Sequence, residues 1–201
     1  LRYIDGTVKY YSNGTLQAAP AVTAGPPLVI SGLTVPANGS ILIAYETDVN
    51  EYAPLDVEAE IVNTATISGT GITPVTVQET VSAGSEPILT ITKSISPVPV
   101  TENGTLTYTF LIQNTGNVAV EEAAASVVTD QFNPILSNLT VTFNGTAWAE
   151  TTNYIYNEDT GLFSTVPGQI TVPAATFAQD ELTGAWNVTP GVSTLVITGT
   201  I

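Results

Sequence analysis

The feature that most constrains the fold is an alternation of apolar and polar residues that recurs along the chain. Residues 105–114 (TLTYTFLIQN) and residues 60–67 (EIVNTATI) are two clear examples. Successive side chains of a β-strand point to opposite faces, so a period of two predicts strands with one covered face. Asn-Gly, Asp-Gly and Thr-Gly steps and prolines separate these segments at short intervals. The pattern predicts an all-β chain of short strands, which is typical of Greek-key sandwiches.

An internal repeat sets the frame of the predicted units. Residues 1–15 align with residues 136–150, and residues 33–49 align with residues 186–201. The first copy of the repeat therefore begins in its middle. Because the second copy stops where the first continues into another strand, we expect it to lack that final strand.

The length and composition fit two such units. The chain has 201 residues, of which 43% are hydrophobic, and this is enough apolar side chain for two sandwich cores. We predict two Ig-like Greek-key β-sandwich units. Residues 1–85 are the C-terminal portion of a first repeat plus a linker, without its early strands. Residues 86–201 are a second repeat whose final strand comes from a neighbouring chain.

Charge and composition exclude several classes of function. The formal net charge is -15, from 18 acidic and 3 basic residues, which argues against nucleic acid and anionic membrane surfaces as partners. Cysteine and histidine are absent, so thiolate nucleophiles and cysteine-based zinc sites are excluded, and the commonest general base and metal ligand is missing. No apolar run is long enough to span a membrane. We therefore expect a protein that is not an enzyme and that has no cofactor.

The same composition bears on location. Methionine is absent along with cysteine, so the chain lacks oxidisable sulfur, which suits a long-lived extracellular protein. We therefore expect an extracellular location, on a cell surface or a spore surface. Because the chain begins with Leu1, we also expect that a leader or a preceding segment lies outside this sequence.

A lysine lies in an apolar strand row. In residues 89–96 the alternation places Lys93 on the same face as leucine and isoleucine side chains. Asp130 lies in a second inward row, between a valine and a phenylalanine, and Asn63 lies in a third, between isoleucine and alanine. An unpaired ammonium in a core is strongly disfavoured, so Lys93 must lose its proton, pair with a carboxylate or react.

These three residue types are the set needed for an autocatalytic isopeptide bond. Burial favours a neutral, nucleophilic lysine amine, and a nearby carboxyl polarises the asparagine amide and shuttles protons as ammonia leaves. We assign Lys93 as the nucleophile and Asp130 as the proton shuttle of the second unit, whose acceptor asparagine is expected on the strand that this unit lacks. Asn63 is the expected acceptor of the first unit, whose own lysine is expected before Leu1. The alternative is a lysine that extends to the sandwich end or forms an ordinary salt bridge with Asp130.

Four segments together resemble a known family. They are LTITKSISP, TLTYTFLIQNTGN, VVTDQF and EIVNTATISG. As a set they are similar to the tandem surface-repeat domain called domain of unknown function eleven, found on Gram-positive and clostridial surface proteins. The resemblance covers nearly the whole chain, and it implies Ig-like sandwiches in which a first-strand lysine and a last-strand asparagine can form an isopeptide bond.

A sandwich without its last strand invites a strand from another chain. Its exposed groove and unpaired edges fit donor-strand complementation, and head-to-tail insertion that does not close gives a filament. We therefore predict a structural subunit of an extracellular bacterial fibre whose partners are copies of itself. The alternatives are a carbohydrate- or host-protein-binding stalk module and, with less support, a hydrolase with paired carboxylates.

Two further groups are candidates for sites. The acidic loop 157–159 could hold Ca²⁺, but it lacks a spaced ladder of ligands, so a solvated loop is the better interpretation. An aromatic platform for sugars could form, although packing within the sandwich is the better interpretation, from Trp148, Trp186, Tyr154 and Tyr156.

Overall fold

The structure, a computed structural model, describes residues 1–50 and 52–201. It is all-β, with antiparallel sheets throughout, which confirms the predicted fold class. In the described residues, no helix is long and apolar enough to cross a membrane. The contacts divide the chain into two units, Leu1–Ala53 and Pro54–Ile201. The proposal that residues 54–85 complete a first repeat stays a prediction.

The first unit consists of short strands in three small sheets. Their order is β3-β2-β6, β1-β7 and β4-β5. The strands are β1 (Arg2–Tyr3), β2 (Lys9–Ser12), β3 (Thr15–Leu16), β4 (Ala21–Thr23), β5 (Val29–Ser31), β6 (Ile41–Ala44) and β7 (Thr47–Asp48).

Of the two glycine-containing turn signals at the start of the first unit, only one forms a hairpin. Asn13 and Gly14 both have positive φ, as a two-residue hairpin turn requires, and they connect β2 to β3 as predicted. The Asp5-Gly6 step does not form a hairpin, because β1 pairs with β7 rather than with β2. The Asp-Gly and Asn-Gly steps together predict a hairpin within residues 1–17, and this prediction is correct at Asn13-Gly14 and wrong at Asp5-Gly6.

The second unit contains twelve strands and one short 3-10 turn, Glu122–Ala124, in its described residues. The strands are β8 (Glu60–Gly69), β9 (Ile72–Ser82), β10 (Leu89–Ser96), β11 (Thr105–Asn114), β12 (Thr129–Gln131), β13 (Ser137–Phe143), β14 (Thr146–Trp148), β15 (Tyr154–Asn157), β16 (Leu162–Thr165), β17 (Thr176–Gln179), β18 (Trp186–Thr189) and β19 (Gly191–Thr200).

Two sheets of unequal width form a sandwich. The wider sheet has the order β10-β11-β19-β13-β14 and the narrower one has the order β12-β16-β15. Both contribute inward side chains to one buried cluster: Phe132 stacks on Tyr108 at a centroid distance of 4.8 Å and packs near Phe163 at 6.0 Å. After its exposed first residue, strand β11 alternates buried and half-buried residues, as the period of two predicts.

Residues 118–128 follow the alternative prediction for that segment rather than the preferred one. The β-branched members of residues 118–128 favour a strand, with a short helical turn as the alternative. The structure has the 3-10 turn Glu122–Ala124, followed by Ala125 with φ 50°. An isolated bridge from Val120 to Val172 and a hydrogen bond from the Thr165 N–H to the Val128 carbonyl connect the two ends of this segment to the rest of the unit. Three consecutive alanines favour the turn, because alanine is a strong helix former and is depleted in strands.

The remaining pairings of the second unit are two-stranded. Strands β17 and β18 form one ribbon, and β8 and β9 form a long hairpin. Every residue of β9 is exposed, and so is every residue of β8 except Ile61. The hairpin therefore contributes almost nothing to the core of its own unit.

A matched pair of leucine substitutions tests where the core lies. Leu195 on β19 is fully buried, whereas Leu182 is 96% exposed. Leu195→Ala should lower the free energy of unfolding by about 2–5 kcal/mol, because it removes buried methyl groups and leaves a cavity. Leu182→Ala should change it by less than about 0.5 kcal/mol. Urea unfolding measures both, and equal effects would contradict the placement of the core.

Candidate functional site

The candidate site lies where the narrower sheet ends. Strand β10 continues the wider sheet, and its register with β11 places Ile91 beside Ile112 and Lys93 beside Phe110. Both β11 residues are buried. The β10 residues of the same row are exposed, however, because β12 is the last strand of the facing sheet. An apolar row on the inner face of a sheet is thus left without cover.

Lys93 and Asp130 meet at this open edge. The Lys93 Nζ donates a hydrogen bond to the Asp130 Oδ2 and forms an ion pair with it. The Lys93 side chain is 39% exposed, and the Asp130 side chain is 16% exposed. The structure therefore brings together two of the three predicted site residues, in the salt bridge that the alternative interpretation expects.

Three aromatic rings surround the ammonium. Its Nζ lies 4.6 Å from the ring centroid of Tyr108, 5.5 Å from that of Phe110 and 5.7 Å from that of Phe132. Aromatic faces attract cations and, unlike water, offer no hydrogen-bond acceptors of comparable strength. Lys93 is thus held by one carboxylate and by ring faces on its inner side, and its outer side faces solvent.

The hydroxyl of Tyr108, in this cluster, has a raised pKa. Burial raises the pKa of its phenol, and the negative charge of Asp130 raises it further. Burial is also the main cause of the raised pKa values of two other core tyrosines, Tyr154 and Tyr156. The folded state therefore favours the neutral phenols.

This shift predicts a loss of stability in alkali. Above the ordinary tyrosine pKa of 10.0, the unfolded chain loses protons that the folded chain still holds, so stability falls as pH rises through the folded-state values. The melting temperature should decrease from about pH 9 to about pH 11, and Tyr108→Phe should make that decrease shallower. Thermal unfolding followed by circular dichroism measures it, with Tyr52→Phe, an exposed ring, as the control. An unchanged slope in Tyr108→Phe would contradict the burial of this phenol.

Asn114 is the residue that sequence reasoning missed. It is completely buried at the end of β11. Its Oδ1 accepts from the backbone N–H groups of Ile88 and Gly116, both at 2.9 Å. Its Nδ2 donates to the carbonyls of Val118 and Pro173, at 2.7 and 3.0 Å. The amide thereby fixes the start of β10, the strand that carries Lys93.

The neighbouring turn completes this support. The Asn117 Nδ2 donates to the carbonyls of Leu55 and Gly84, and its Oδ1 accepts from the N–H of Glu86. At Gly116 a Cβ would collide with the Glu86 carbonyl oxygen, so only glycine fits there. The Asn-Thr-Gly-Asn sequence that ends β11 was the available signal, since it places an asparagine in an inward row directly before a turn.

Asn114→Ala tests this support. It leaves two N–H groups and two carbonyls at a buried turn without their partners, so it should lower the free energy of unfolding by about 3 kcal/mol or more. Asn187→Ala, at an exposed position of β18, should change it by less than about 0.5 kcal/mol. Urea unfolding compares the two variants, and a small effect of Asn114→Ala would contradict the role assigned to the amide.

Asn63 lies apart from the other two predicted residues. It is exposed on β8, and its partner across the hairpin is Glu79 on β9. The predicted row of Ile61, Asn63 and Ala65 exists, but in this chain its members face solvent or are only half-buried. The structure does not bring Asn63 to Lys93 and Asp130.

The other candidate residues serve packing and turns. Trp148 stacks on Phe143 at 4.9 Å, and Tyr154 stacks on Phe163 at 5.4 Å. The loop after β15 is closed by the Asn157 Oδ1, which accepts from two backbone N–H groups. Within residues 1–50 and 52–201, no group of three or more acidic side chains is arranged to hold a metal ion.

Comparison with known proteins adds no further constraint. No protein-family model matches the chain, and neither the curated proteins nor the solved structures compared with it gave a match. The resemblance to the surface-repeat family therefore stays a prediction.

Proposed function

We propose that this protein is a structural subunit of an extracellular bacterial fibre, assembled head-to-tail by donor-strand complementation. One observation carries the proposal: the inner apolar row of β10 is exposed beside the β12 edge of the narrower sheet. Exposed apolar rows and unpaired strand edges are surfaces that another strand can cover and pair with. The subunit acts as a building block and catalyses no turnover of substrate.

The charge of the chain determines how such an assembly is held. Each copy carries a net charge of -15, so copies repel one another over distances comparable with the Debye length. Attraction must therefore come from buried apolar area and from backbone hydrogen bonds to the donated strand. Added salt should favour the assembly because it screens the repulsion.

The ion pair of Lys93 and Asp130 provides the chemistry to seal the joint. A donated strand would cover the exposed side of the pair, and the loss of water favours the neutral amine and neutral carboxyl. The amine nitrogen then attacks the side-chain carbonyl carbon of an asparagine on the donated strand. The neutral Asp130 carboxyl gives its proton to the amide oxygen, and the resulting carboxylate takes the amine proton and passes it to the departing nitrogen. The oxygen returns its proton to Asp130 as the carbonyl re-forms, so that one amide forms and one ammonia leaves.

Intact mass and denaturing electrophoresis of assembled protein test this function. Each crosslink removes one ammonia, so the mass should fall by about 17 Da per bond, and boiled samples should show a ladder of multiples. Lys93→Ala should abolish both the mass loss and the ladder. Lys9→Ala removes an exposed lysine of the first unit and should leave both unchanged.

The outcomes distinguish the crosslink from the strand exchange. Assemblies that dissolve into chains of unmodified mass would contradict the crosslink and leave the strand exchange intact. Chains that remain monomeric at all concentrations and salt levels would contradict the fibre itself and favour a solitary stalk module.

A further inference from the structure

The β8–β9 hairpin has one apolar face and one polar face. Its antiparallel register places two isoleucines, an alanine and three valines on one face, together with Asn63 and Glu79. The opposite face carries Thr64, Thr66, Thr76 and Gln78, which hydrogen-bond across the strands in two pairs. A hairpin with one apolar and one polar face normally packs its apolar face on a core. Here that face is exposed, and Val77 is 61% exposed.

The narrower sheet has two strands fewer than the wider one, and the hairpin has two strands. Five strands form the wider sheet and three form the narrower one. The uncovered row belongs to β10. The nearest strand of the other sheet is β12, which pairs with β16 on one side and with no strand of the described chain on the other. Two strands added beside β12 would give two sheets of five and would cover β10.

The two apolar rows match when they run in opposite directions. The row of β10 is Leu89, Ile91, Lys93, Ile95, and the row of β8 is Ile61, Asn63, Ala65, Ile67. Laid antiparallel across the core, they place Asn63 opposite Lys93 and every other residue opposite an apolar one. In the parallel direction with all four positions overlapping, both polar residues face apolar partners, and a shift that brings Asn63 opposite Lys93 leaves one apolar residue of each row without a counterpart. The antiparallel arrangement is therefore the one that matches the polar pair and every apolar residue.

Charge favours the same alignment. Glu79 is the single charged residue on the apolar face of the hairpin, and Lys93 is the single charged residue in the row of β10. Because Glu79 is the cross-strand partner of Asn63, the alignment brings this carboxylate to the level of the Lys93 ammonium. Covered by a core without this alignment, Glu79 would be a buried carboxylate with no partner; at this level it lies near the ammonium that already pairs with Asp130.

From these matches we propose that the strands donated to the sandwich are the β8–β9 hairpin of a second copy of this chain, which enters the slot between β10 and β12. The inference rests on the proposed function and names the donor. Each copy has one such hairpin and one slot, and the two surfaces differ. Contacts of this heterologous kind continue from copy to copy into a filament.

A second copy is the occupant that the structure favours over the hairpin's own chain. Asn117 holds the carbonyls of Leu55 and Gly84, on either side of the hairpin, at the turn after β11. With both ends of the hairpin fixed there, its strands extend with almost every residue exposed, and the slot in the same molecule stays open. The free donor and the free acceptor thus coexist in one chain.

Two charge substitutions disable the two surfaces separately. Val77→Glu places a charge on the apolar face of the hairpin, and Ile91→Glu places one in the slot. Both positions are more than half exposed in the free chain, so the monomer should fold as before. Gln78→Glu and Thr92→Glu add the same charge to the opposite faces of the same strands and are the matched controls.

The test is complementation between these variants, followed by light scattering coupled to size exclusion. Val77→Glu alone and Ile91→Glu alone should each stay monomeric, with apparent association weakened about 100-fold or more. Mixed in equal amounts they should form dimers that grow no further, because one intact hairpin meets one intact slot. The controls should polymerise like the natural chain.

Other outcomes identify what fails. If Val77→Glu polymerises like the natural chain, the hairpin is not the donor, although strand exchange by another segment stands. If the natural chain stays monomeric while the hairpin amides that lie outside the β8–β9 ladder are protected from hydrogen exchange, the hairpin occupies its own slot and the proposal is overturned. If the natural chain stays monomeric with those amides unprotected, the proposed function fails as well.

Discussion

The structure of the second unit depends on a mismatch between two facing sheets. A sheet buries one face by packing it against another layer, and here five strands face three. Where both layers are present, side chains such as Phe132 and Leu195 are almost or completely removed from water. Where the narrower layer ends, the same alternation exposes apolar residues beside a lysine. The fold and the candidate site therefore have one cause.

The ion pair at this boundary shows how an incomplete core tolerates a charge. Lys93 keeps its outer side in solvent and is held inside by the Asp130 carboxylate and by the Tyr108 ring. A fully covered pair would have to lose water from both groups, and that cost commonly exceeds the Coulombic gain. Covering this site therefore changes its chemistry as well as its packing, and this links assembly to reactivity in the proposed function.

The strands and the rows of the candidate site could largely be predicted from the alternation of apolar and polar residues. The rows containing Lys93 and Asp130 are local patterns, and the structure places both residues on facing strands. The alternation states which residues share a face but not what covers that face, so the solvent-exposed row of Asn63 was not predicted. Asn114 was missed because its partners, from Ile88 to Pro173, come together only in the folded unit. The turn at Glu122–Ala124 was expected only as the alternative to a strand, because the β-branched neighbours favour a strand and the alanines favour a helical turn.

The hydrogen-bond ladder between β8 and β9 has a mechanical consequence. Its register runs from Glu60 with Ser82 to Gly69 with Ile72, and Asn117 fixes the carbonyls at the open end. In a fibre joined through this hairpin, a pulling force directed along the strands would load the interstrand bonds in shear. Hydrogen bonds loaded in shear share the force, so many must break at the same time. When two strands are instead unzipped from one end, the bonds break one after another. A long, narrow ribbon is thus a suitable shape for a joint that must resist stretching.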